Sequence, residues 1–168
     1  MRKEKNAASK TALYGILIAL AMVMSFIESL IPIPLPVPGV KIGLANLVTI
    51  AGLYLVGIPG TICVTILRVV LIGFTFGNPY SMIYGLSGSF LSLFVMALAK
   101  RYRLFSHVGI SILGGVFHNI GQLLVAAFMM QTSAVFVYLP ALLISGVVVG
   151  FVTGNVCSII LKRTDIKI

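Results

Sequence analysis

The sequence predicts an all-α integral membrane protein: one domain, residues 1–168, built as a bundle of six transmembrane helices with both termini cytoplasmic. Three observations carry this. Leu104–Leu161 is a run of 58 residues without a single Asp, Glu, Lys or Arg. Hydrophobic residues make up 60% of the chain, charged ones only 9%, and the mean hydropathy is +1.16, so the natural solvent is a bilayer. Ten of the 12 basic residues fall in three short stretches, Arg2–Lys10, Lys100–Arg103 and Lys162–Lys167. Basic residues held back on the inner face during insertion leave that pattern. It also accounts for the net charge of +9 without nucleic acid, which would need a soluble basic surface that this chain has no residues to build.

A helix crosses the hydrocarbon in about 20 residues, with breaks at Pro, Gly and charge clusters. On that rule the spans are Thr11–Ile31, Val40–Val56, Ile58–Phe76, Tyr80–Ala99, Val108–Met129 and Val135–Leu161. The first ends in a Pro-rich stretch. The second and third form a tight hairpin through Gly57–Pro59–Gly60, and Gly77–Asn78–Pro79 separates the third from the fourth. Lys100–Arg103 closes the fourth, and Gln131–Ser133 divides the fifth from the sixth. Six crossings place the termini and the Lys100–Arg103 loop on one side, the side to which the basic residues independently point. The first segment is too long for a cleavable signal peptide and lacks a small-residue cleavage site. Cys63 and Cys157 fall within spans and read as small packing residues, with no metal or redox spacing.

Lipid gives helices no hydrophobic reason to associate, so contact faces use small residues. Ala8, Ala12, Gly15 and Ala19 form one stripe on the first span, and Gly146, Gly150 and Gly154 another on the sixth. Gly85, Gly88, Ser89 and Ser92 line one side of the fourth. Each stripe serves internal packing or, for the first span, docking to a second membrane protein.

Polar side chains are costly in hydrocarbon, so their placement marks function. Glu28 lies near the outer end of the first span, Lys41 and Asn46 open the second, and Arg68 sits near the middle of the third. His118, Asn119 and Gln122 occupy the middle and outer half of the fifth, His118 and Gln122 sharing a face. Residues from four spans at one depth predict a ligand pocket open to the outside; the alternative is a set of interhelical hydrogen bonds and ion pairs such as Glu28 with Lys41 or Arg68. The adjacent strap places Pro32, Pro34, Pro36 and Pro38 at every second position before Gly39, which makes it stiff and extended. It reads as a lid over the pocket or as a connector lying flat at the interface.

The three carboxylates, Glu4, Glu28 and Asp165, leave no acid/base pair and no Asp-rich motif to hold Mg²⁺ on a diphosphate. No P-loop is present, and no cofactor or metal is called for. These features argue against an enzyme.

The run Glu28–Leu47 (ESLIPIPLPVPGVKIGLANL), Arg68, and HNIGQ at His118–Gln122 resemble the Gx transporter family, also catalogued as heptaprenyl diphosphate synthase component I. Length, span number and the first-span stripe are similar to substrate-binding S components of energy-coupling factor (ECF) transporters. That resemblance implies that Ala8, Ala12, Gly15 and Ala19 meet a transmembrane coupling subunit served by ATPase subunits. It also implies that Pro32–Gly39 gates a ligand site formed by Glu28, Lys41, Asn46, Arg68, His118, Asn119 and Gln122. The expected function is therefore a small-molecule uptake component in the cytoplasmic membrane of a prokaryote. Its ligand would be polar or anionic, of the class of a quinone or isoprenoid precursor. The alternative is a non-catalytic membrane accessory of heptaprenyl diphosphate synthase in isoprenoid-quinone synthesis.

Overall fold

A computed structural model describes residues 2–30, 41, 43–103 and 105–163, with side chains from Ser9 onward. The described residues form helices and no strands: α1 (Arg2–Ser29), α2 (Asn46–Leu55), α3 (Gly57–Thr75), α4 (Pro79–Arg101), α5 (His107–Met130) and α6 (Leu139–Arg163), with a 3₁₀ turn at Ala134–Tyr138 leading into α6. Five segments are long and apolar enough to cross a membrane: Ser9–Ser29, Gly57–Thr75, Pro79–Arg101, His107–Met130 and Ala134–Arg163.

The expected second span is corrected. α2 has only 10 residues, so it is about 15 Å long, half of a hydrocarbon core about 30 Å thick. Ahead of it Gly43 takes a left-handed φ of 98°, and the Lys41 and Gly43 amides are claimed by side chains of other helices, not by a helical turn. Asn46–Leu53 is buried on every side. The main core forms around it: Val48, Ile50 and Leu53 pack with Leu17 and Ala21 of α1, Val64 of α3, Met96 of α4, Ile110 of α5 and Leu161 of α6. A helix that is apolar all round belongs at the centre of a bundle.

Local chemistry sets the other boundaries. Asn78 caps α4, accepting from the Ser81 amide at 2.8 Å while the Ser81 hydroxyl accepts from the Asn78 amide at 2.9 Å, and Pro79 follows at the first helical position. Ser106 caps α5, and Gln131 ends it in a left-handed conformation. The sixth span opens as a 3₁₀ turn because its helix proper begins at Leu139, with Pro140 in the first turn where no amide is needed.

Contacts orient the helices. α1 runs parallel to α3, because Tyr14 lies against Gly60 at one end and Phe26 against Phe76 at the other, with ring centroids 5.3 Å apart. α2 therefore returns the chain through the bundle interior. α4 is antiparallel to α3 (Gly73 against Met82), α5 to α4 (Gly114 against Met96) and α6 to α5 (Gly154 against Val108). The start of α1, the α2–α3 turn, the Lys100–Arg103 loop and the end of α6 thus share one end of the bundle; the Lys100 ammonium donates to the Leu53 carbonyl at 2.7 Å.

The small-residue stripes divide by role. Gly150 and Gly154 bring α6 against the α5 backbone, so that a Cβ at Gly150 would sit 2.6 Å from the Ile112 Cα. Gly88 brings α4 equally close to α5. On α1, by contrast, Ala12, Gly15 and Ala19 are exposed, and a Cβ at Gly15 would have no neighbour within 4 Å. The Ala8 side chain lies outside the described residues. Cys157 is buried in the core as expected, but Cys63 is exposed on α3.

Candidate functional site

α1, α3, α4 and α5 surround a cavity of about 40 Å³ in the half of the bundle opposite the basic loop. At 10–15 Å³ for each water centre, it holds roughly three water molecules. Five of the seven expected ligand residues line it: Glu28, Lys41, Arg68, His118 and Gln122.

Arg68 is at its centre. It is buried, and its Nη2 donates to the Ser89 hydroxyl at 2.7 Å and to the Thr49 hydroxyl at 3.4 Å. Its Nε has no hydrogen-bond partner among the described residues. The hydroxyls orient the guanidinium but do not neutralise it. Glu28 is also buried, one turn beyond Ser25 on the same face of α1, and its carboxylate accepts the Gly43 amide at 2.5 Å. Among the described residues the direct contacts of these two groups are hydrogen bonds, and Glu28 acts on Arg68 and Lys41 through space without touching them.

His118 and Gln122 form a relay four residues apart on α5. The Lys41 amide donates to Gln122 Oε1 at 2.9 Å, which fixes the side-chain amide so that its NH₂ group faces His118 Nε2 at 2.5 Å. An NH₂ group can only donate, so Nε2 accepts and the imidazole proton sits on Nδ1. Nδ1 is buried against the backbone of Gly88 on α4. The ring lies against Gly43, where a Cβ would come within 3.0 Å of Cδ2. The left-handed φ and the close ring both demand glycine there. Burial pushes the Lys41 ammonium below its ordinary range, opposed by the Glu28 carboxylate and reinforced by Arg68.

The segment at Lys41 and Gly43 is thus pinned across the cavity by Gln122 and Glu28, two of the residues that line it. Ala45 also lines the cavity, so the N-terminal end of α2, the positive end of its dipole, is directed at it. The expected gate residues Pro32, Pro34, Pro36, Pro38 and Gly39 lie outside the described residues.

Two expected ligand residues are placed elsewhere. Asn46 is buried, but its Oδ1 accepts the Ser92 hydroxyl at 3.1 Å, joining α2 to α4. Asn119 points away from His118 and donates to the Leu142 carbonyl at 2.7 Å and the Ser145 hydroxyl at 3.2 Å, joining α5 to α6. Successive helical residues diverge by about 100°, so Asn119 could not share the face of His118 and Gln122. Sequence reasoning missed Ser25, Thr49, Ser81 and Ser89. In the sequence Ser89 belongs to a small-residue stripe that serves packing; the signal that identifies it is the need of a mid-membrane Arg for hydroxyl partners. Among the described residues no cluster of three or more His, Cys, Asp or Glu could hold a metal ion.

No curated protein and no solved structure matches the chain. The family model described as heptaprenyl diphosphate synthase component I matches residues 17–160, so the chain belongs to that family.

Proposed function

We propose that this member of the heptaprenyl diphosphate synthase component I family is a non-catalytic, membrane-embedded binding component that takes up a small anion through the cavity around Arg68. The observation that carries this reading is a buried guanidinium, aligned by two hydroxyls, with Nε unpartnered among the described residues and beside a cavity. A permanent charge in hydrocarbon needs a counter-charge or water, and a site that supplies neither in full is matched by an anionic ligand. Lys41 and the N-terminal end of α2 add positive potential, and Glu28 is the single opposing carboxylate. Half-length helices that direct their N-termini at an anionic substrate are a recurrent transporter device.

The cavity is a closed state. About three waters fit, so a ligand larger than that enters only if the Lys41–Gly43 segment lifts, breaking its bonds to Gln122 and Glu28. A lid held by the residues that bind the ligand couples occupancy to closure. In this reading Pro32–Gly39 stiffens the lid, and the end bearing the Lys100–Arg103 loop faces the cytoplasm. The exposed stripe of Ala12, Gly15 and Ala19 is the docking surface for a transmembrane coupling subunit with its ATPases, as in an ECF-type S component. Its exposure favours this use over internal packing.

The family description favours a second reading, a membrane accessory of heptaprenyl diphosphate synthase. Three carboxylates in the whole chain leave the prenyl-transfer chemistry to another subunit. Native mass spectrometry of gently purified protein tests the first reading: an adduct of a small acid is expected, and it should be lost on Arg68→Gln. A bare wild-type mass, together with co-purification of a soluble Asp-rich subunit, would favour the second.

A further inference from the structure

At the opposite end of the bundle lies a much larger hollow, a cleft of about 770 Å³ between α2, the start of α3, α4, α5 and α6. This is within the range of ligand sites, roughly 300–1,000 Å³. Its walls are of two kinds. Leu53, Ile58, Ala97, Ile110 and Leu161 supply apolar surface, and Lys100, Arg101 and Arg103 supply three cations. Cations kept only to hold a loop in the cytoplasm would need no particular arrangement. Here they are arranged. Lys100 is anchored by the Leu53 carbonyl and lies 4.1 Å above the Tyr54 ring, and Arg103, which also lines the cleft, has a left-handed φ of 52°, uncommon for a residue of its size. Among the residues whose side chains are described, Glu28 is the one carboxylate and lies in the opposite half of the bundle, so no described carboxylate pairs with these three cations.

We propose that this cleft binds an anionic amphiphile, a phosphate or diphosphate head held by Lys100, Arg101 and Arg103 with its apolar tail along Leu53, Ile110 and Leu161. Arginine forks match phosphate oxygens in pairs, and the Lys100 ammonium adds a point charge. The first turn of α5 adds donors. Ser106 takes the Gly109 amide through its side chain and the Ile110 amide through its carbonyl, leaving the His107 and Val108 amides without partners among the described residues. An inorganic anion would satisfy the cations but leave the apolar wall wet, and a neutral lipid would do the reverse. Two sources offer the required chemistry, an anionic phospholipid of the bilayer and a prenyl diphosphate. The site does not depend on the cavity around Arg68.

The test uses the full chain in phosphatidylcholine nanodiscs, titrated with farnesyl diphosphate, inorganic diphosphate and farnesol. Farnesyl diphosphate should bind at least about tenfold more tightly than either fragment, because head and tail contacts act together. Arg101 and Arg103 are exposed, so the double substitution Arg101→Gln, Arg103→Gln should leave the melting temperature unchanged. It should weaken farnesyl diphosphate binding about tenfold or more, while Arg68→Gln leaves that binding intact. Adding phosphatidylglycerol to the discs separates the sources. Displacement of farnesyl diphosphate at comparable concentration identifies the site as a lipid headgroup site, and persistence of binding identifies it as a prenyl diphosphate site; either upholds the amphiphile. The proposal is overturned if farnesyl diphosphate does not bind, if inorganic diphosphate binds equally well, or if the double substitution has no effect.

Discussion

Replacing Arg68 with Gln separates a binding charge from a structural one. The substitution removes the positive charge and the unpartnered Nε but keeps a side chain that can reach the Ser89 hydroxyl, which Arg68 Nη2 approaches to 2.7 Å. In the empty protein two effects oppose each other. Hydrogen bonds to Ser89 and Thr49 are weakened, at about 1 kcal/mol each, and the cost of holding a buried charge with no carboxylate in direct contact disappears. The net change in stability should stay within about 1 kcal/mol. In the occupied protein the same change deletes a desolvated, charge-assisted contact worth about 2–3 kcal/mol, or roughly a 30- to 150-fold loss of affinity. Arg68→Lys, which keeps the charge but not the planar fork, should fall between the two. Native mass spectrometry identifies the bound species, and thermal shifts in detergent with and without it give both quantities for each variant. If Arg68→Gln strongly destabilises the empty protein while ligand occupancy is unchanged, Arg68 is a structural member of the α2–α3–α4 interface and the cavity loses its ligand group.

Further outcomes follow from the same geometry. His118→Ala and Gln122→Ala should each weaken binding by about 1 kcal/mol, as neutral hydrogen-bond partners, measured in the same thermal-shift series. Gly15→Leu should leave the isolated protein folded, because nothing lies within 4 Å of the new Cβ, yet abolish co-purification with a coupling subunit; unfolding of the isolated variant would return the stripe to internal packing. Gly150→Ala should lower stability by about 1–3 kcal/mol in detergent denaturation, since its Cβ would meet the Ile112 backbone at 2.6 Å and neither helix can yield locally. In a background free of Cys63 and Cys157, Ser133→Cys should label from outside intact cells and Arg101→Cys only after permeabilisation; the reverse would invert the topology.

The class of the protein and the residues worth watching were legible along the chain, because the cost of placing a group in hydrocarbon is paid residue by residue. Leu104–Leu161 without a charge means membrane whatever its neighbours are, and Glu28, Arg68 and His118 are expensive wherever they face. Pairing is different, since it depends on helix rotation and depth, which contacts between distant segments decide. Asn46 and Asn119 looked like Gln122 in sequence, yet packing turned one toward Ser92 and the other toward Leu142. Ser89 became the partner of Arg68 only because α4 lies against α3 at that level. By hydropathy the apolar run around Lys41 is a full span, since hydropathy does not record that the Gly43 and Lys41 amides can be satisfied by Glu28 and Gln122 instead of by helix. Hydropathy therefore determined the solvent and the cost of each polar group, whereas the close approach of backbones at Gly88, Gly150 and Gly154 decided which of those groups meet.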